Sequence, residues 1–200
     1  MKGLSTSIFF TLAVFLFVGI YSGQVIARDF HVDRKGNFKD SKDIIKNIIL
    51  DYPSFGQDRH NRYKLSGVEE IRIVEKNDDN DFYIWTYVND VKVYKYFSHI
   101  VVKESNNGVI TITNTVPTEN SIRRLKNATG LPNFSFFNYS KVVWTIEEKK
   151  DLQGNFLYTH VYYVADFSAS GFAATLGAGR ISATLETIAT QLFAALGERY

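Results

Sequence analysis

The chain has 200 residues, a formal net charge of +2 and no cysteine. That length suits one domain able to bury a real core. The near-neutral balance argues against a general nucleic-acid binder, which needs a basic face. The lack of cysteine removes disulfides and thiolate chemistry.

Lys2 precedes a polar patch, and residues 8–20 are almost wholly apolar. That run is shorter than the about 20 residues that cross a bilayer. Small or branched residues follow in Tyr21-Ser22-Gly23-Gln24 and Val25-Ile26-Ala27, where a signal peptidase would cut. Residues 1–27 therefore read as a cleaved export signal, with an uncleaved N-terminal anchor as the alternative. Export without cysteine favours a bacterial periplasm, and secretion is the other destination.

Residues 28–39 are polar and charged and read as a flexible lead-in to a domain spanning 40–200. Asp40 or Ser41 can cap a helix whose buried side is Ile44, Ile45, Ile48 and Ile49. Pro53 disfavours helical geometry in Tyr52, so the helix stops there and aims Tyr52 and Phe55 at the body. Strands are expected over 68–76, 82–88, 91–103, 109–116, 140–148 and 156–167, separated by turn signals such as Asn77-Asp78-Asp79-Asn80 and Asn106-Asn107-Gly108. Residues 118–138 show no clean period, with a short basic helix over 121–126 holding Arg123, Arg124 and Lys126. That group reads as a solvated loop, or as a gate touching anionic lipid. Finally Ile181, Leu185, Ile188, Leu192 and Leu196 recur every three or four residues, the stripe of a long amphipathic helix.

About six strands joined by tight turns are antiparallel, so the fold class is α+β. The expected architecture is a curved antiparallel sheet wrapped around the long C-terminal helix, with an apolar cavity between them. The segment 91–102 is apolar on both faces: Val91, Val93, Phe97 and Val101 on one, Tyr94, Tyr96, Ile100 and Val102 on the other. One face must meet the helix and a ligand, and the other a partner or a membrane surface.

The order of elements over residues 40–198 resembles the START-like, or SRPBCC, helix-grip superfamily. Asp51-Tyr52-Pro53-Ser54-Phe55 is similar to the helix exit of its polyketide cyclase and coenzyme-Q-binding branches. Gly67-Val68-Glu69-Glu70 resembles the segment that opens their first strand, and Leu192-Phe193 their closing helix. The resemblance implies a deep cavity for an apolar molecule, used for carriage, sensing or occasionally catalysis.

The residues expected to touch a ligand are the strand aromatics Tyr83, Trp85, Tyr94, Tyr96 and Trp144, the row Tyr158, His160 and Tyr162, and the helix residues Leu185 and Ile188. On the last strand the period of two leaves two sets competing for the inside. One is Tyr158, His160, Tyr162, Val164 and Asp166; the other is Val161, Tyr163, Ala165 and Phe167. No cofactor or metal is expected, because the four histidines are scattered and no carboxylates stand at ligand spacing. Gly177-Ala178-Gly179 lacks the third glycine and the preceding parallel strand of a dinucleotide loop. The expected function is an exported binding or transfer protein for a hydrophobic small molecule: a lipid, fatty acid or isoprenoid. A cyclase- or dehydratase-type enzyme using His160 and a tyrosine is one alternative, and a ligand-free protein-interaction domain is another.

Overall fold

A computed structural model describes residues 27–56, 62–90, 93–135, 137–169 and 178–197. The expected leader, residues 1–26 almost in full, lies outside them, as does the small-residue junction at 170–177. The elements run β1 (Arg28–Phe38), α1 (Lys42–Leu50), a 3-10 turn (Tyr52–Ser54), β2 (Val68–Lys76), β3 (Asp81–Asn89), β4 (Val93–Glu104), β5 (Ile110–Thr115), α2 (Glu119–Thr129), β6 (Phe137–Lys150), β7 (Phe156–Ala169) and α3 (Ala178–Ala195).

The strands form one seven-stranded sheet in the order β1-β7-β6-β5-β4-β3-β2, and every pairing between them is antiparallel. Six strands match the expected segments. The seventh corrects the flexible lead-in, since Arg28–Phe38 pairs along its whole length with β7, from Arg28 opposite Ala169 to Phe38 opposite Thr159. Phe30, Val32 and Phe38 point inward and are buried.

The concave face carries Ile84, Ile100, Ile112, Ile146 and Val161, packed against Ile45 and Ile49 of α1 and Ala189 and Phe193 of α3. Ile44 was expected on the buried side of α1 but is 48% exposed. A nine-residue helix leaning on a sheet buries a narrower stripe than four adjacent isoleucines offer.

The convex face of β3 and β4 has its own cover. Tyr83, Trp85 and Phe97 pack under Leu125 of α2, with Ile122 and Leu131 beside them. The short basic helix expected at 121–126 is thus longer and amphipathic. Thr118 caps it, its hydroxyl accepting from the Ser121 N–H at 3.3 Å, and Gly130 ends it at φ 70°. The second apolar face of β4 therefore meets the chain's own helix, at Phe97. Arg124 of that basic group pairs with Glu75 and lies 5.5 Å from the Tyr83 ring.

Candidate functional site: a cavity under the terminal helix

Alternation decides what faces inward. Val88, Thr86 and Ile84 on β3 stand opposite Tyr94, Tyr96 and Ser98 on β4. Asn114 on β5 stands between Ile100 and Val142, and Trp144 on β6 faces Tyr163 on β7. All of these except Ile100 line a cavity of about 190 Å³. Leu185, Ile188 and Leu192 of α3 roof it, and Ile49, Tyr52 and Phe55 close the side beneath α1. These roof leucines and isoleucine are only half-buried, because the space beneath them is open.

Polar contacts at three sites, Asp90, Ser66 and Arg34, tie the roof to the sheet. Thr184 Oγ1 donates to Asp90 Oδ2 at 2.8 Å, and Arg180 Nη2 lies 3.6 Å from Asp90 Oδ1. The Ser66 N–H donates to Gln191 Oε1 at 2.7 Å, and Gln191 Nε2 returns a bond to Ser66 Oγ at 2.9 Å. On the opposite edge Arg34 Nη1 donates to Thr190 Oγ1 at 3.2 Å, with its guanidinium 5.3 Å from the Phe193 ring centre. The helix is thereby pinned at both edges of the sheet and spans the space between.

The interior is largely apolar. Among the described lining residues Asp90 is the one carboxylate, and there is no Lys, Arg or His. Burial pushes the phenols of Tyr52, Tyr96 and Tyr163 above their ordinary value, so all three stay neutral at physiological pH. A hydrogen bond with Thr86 partly offsets that effect at Tyr96. Among the described residues no three His, Cys, Asp or Glu side chains converge as a metal site would need. No helix among them is long and apolar enough to cross a membrane.

Of the expected ligand-contacting residues, Tyr94, Tyr96, Trp144, Leu185 and Ile188 do line this cavity. Tyr83 and Trp85 do not: they lie on the convex face under α2, where Trp85 Nε1 donates to the Pro132 carbonyl at 2.9 Å. The row Tyr158, His160 and Tyr162 also falls outside. Val161, Tyr163 and Ala165 take the inward positions of β7, leaving Tyr162 39% exposed and His160 bonded through Nδ1 to Asn37 Oδ1 at 2.8 Å. An acid–base pair of His160 and a cavity tyrosine is therefore not assembled. The polar groups that reach the interior from the strands include Thr86, Ser98, Asn114 and Ser140, none of which was expected at the site. Their signal was a polar residue at an inward position of an otherwise apolar strand face.

A curved antiparallel sheet closed over a long terminal helix with a cavity between is a START-like helix-grip fold, and solved structures agree. A STAR-related lipid transfer protein from Xanthomonas axonopodis superposes with a TM-score of 0.58 at 14% identity, over 84% of this chain and 86% of that one. Human StAR-related lipid transfer protein 5 superposes with a TM-score of 0.53 at 11% identity, over 94% and 95%. Identities this low define the fold alone. No protein-family model and no curated protein matches the sequence.

Proposed function

We propose that this protein binds a hydrophobic small molecule of the lipid kind in the cavity beneath α3, and that it acts as an exported carrier. One observation carries the reading: a largely apolar space of about 190 Å³ that the core leaves unfilled, whose one described charged lining residue, Asp90, is held by Thr184 and Arg180. Side chains normally pack such space closed, because empty volume forfeits dispersion contacts. A ligand that recovers those contacts gains affinity from apolar burial alone, at roughly 25 cal/mol per Å². The names of the two structural neighbours, both lipid transfer proteins, support the same reading.

Export rests on the sequence of residues 1–27. The first strand starts at Arg28, one residue past the proposed cut, so removing the leader takes nothing from the sheet. Native mass spectrometry of the purified protein tests carriage. A bound lipid is expected in the native protein and absent from Leu185→Trp, in which the added ring occupies the space. A chain that takes up no lipid, alone or from mixed phospholipid and fatty-acid vesicles, would rule carriage out.

A further inference from the structure

Asn114 occupies an inward position of β5, in line with the buried Ile110 and Ile112. Its direct neighbours across the sheet are Ile100 on β4 and Val142 on β6, neither of which can bond an amide. Its Oδ1 is buried and has no hydrogen-bond partner, although the side chain lines the cavity. A buried amide oxygen without a partner is costly to folding. The other polar groups of the interior are differently placed. Thr86 and Tyr96 bond each other, and Asp90 is held by Thr184 and Arg180. Ser98 and Ser140 lie diagonal to Asn114 by register, just past the end of β5 at Thr115. Both serines line the same cavity.

We propose that Asn114 is the polar anchor of the cavity and selects an uncharged lipid carrying a hydroxyl group. This inference rests on the carrier reading above. A hydroxyl donates to Oδ1 and accepts from Nδ2, so it satisfies the amide in either orientation. A carboxylate or phosphate has no such welcome. It would leave water for a site whose described lining has no cation, and a buried charge without a partner is strongly disfavoured. Apolar length sets how tightly the chain binds, and Asn114 sets which end chemistry is accepted.

The test compares three ligands of matched chain length: 1-decanol, its methyl ether, and decanoate well above its pKa. Binding to the full chain is followed by tryptophan fluorescence, since Trp144 lines the cavity. Decanol is expected to bind about tenfold more tightly than the ether, the size of one net hydrogen bond, and more tightly than decanoate. Asn114→Leu should bind the ether unchanged, lose the preference for decanol, and unfold no more readily than the parent, because it removes an unsatisfied group. Decanoate binding as tightly as decanol, or a preference that survives Asn114→Leu, would overturn the assignment while leaving carriage intact. A loss of stability in Asn114→Leu without loss of selectivity makes Asn114 structural and also overturns it. If none of the three ligands binds, the carrier reading fails first and takes this inference with it.

Discussion

Trp144 of β6 and Phe193 of α3 stack with ring centres 5.9 Å apart and planes 20° apart. Phe193 also meets Phe38 of β1 at 5.9 Å and Tyr163 of β7 at 6.5 Å. It is completely buried, and it joins the helix to three strands. Phe193→Ala is expected to cost about 3–5 kcal/mol, the usual range for a deleted core phenylalanine. The shift of the urea midpoint measures it. A loss below about 1 kcal/mol would mean that α3 is held elsewhere.

Gly67 sits at φ 74°, in the left-handed region. A β-carbon there would lie 2.8 Å from Asp90 Cβ, and Asp90 is the residue that holds Thr184 and Arg180. Gly67→Ala therefore adds backbone strain, about 1–2 kcal/mol, and pushes the anchor of α3 aside. Reduced stability together with faster amide exchange in the first turns of α3 is the expected outcome. Exchange confined to the Ser66–Gly67 turn would show that the clash is absorbed locally.

The outer cover makes a separate prediction. Leu125 is wholly buried against Tyr83, Trp85 and Phe97. Leu125→Ala should cost about 2–5 kcal/mol and shift the fluorescence of Trp85 towards that of a solvated indole. Ligand binding by the surviving folded fraction should be unaffected, since α2 lies on the other side of the sheet. An unshifted Trp85 would place the cover elsewhere.

His31 and Asp166 join β1 to β7, with Nδ1 and Oδ1 2.7 Å apart. The hydrogen bond to Asp166 raises the His31 pKa above its ordinary value of 6.5. A raised folded-state pKa means that the contact stabilises fully below about pH 6.5 and is lost as pH climbs through the raised value. Nuclear magnetic resonance titration of the His31 ring should give a midpoint above 6.5 in the parent and a lower one in Asp166→Asn. Identical midpoints would show that the pair does not persist in solution.

The terminal helix and six of the strands were legible because each repeats one simple period over enough residues to be read. β1 was not, and the reason lies at two positions. Its inward set is Phe30, Val32, Arg34, Gly36 and Phe38, so a charge and a glycine interrupt the alternation. In the folded protein Arg34 lays its guanidinium over Phe193 and bonds Thr190. It therefore behaves as an amphipathic spacer under the helix and not as a solvated charge. No local pattern announces that, because its partners lie about 160 residues away in the chain (Thr190 is 156 positions on).

The cavity was legible in outline and misread in detail. Leu185 and Ile188 follow from the helix period, and Tyr94, Tyr96 and Trp144 from strand alternation. Tyr83 and Trp85 share their strand with inward residues, and both faces of β3 are apolar because α2 covers the outer one. A strand covered on both sides gives alternation nothing to contrast. On β7 the competing sets were equally aromatic, so alternation alone left the inward set undecided.

The pairing of β1 with β7 also sets the order of events on the ribosome. Residues 28–38 emerge early, yet their partner strand is nearly the last to be made. The nascent chain must keep that strand unpaired through most of synthesis, and one edge of the sheet can close only near the end. Such distant contacts slow folding, so the sheet is completed later than one built from neighbouring hairpins alone.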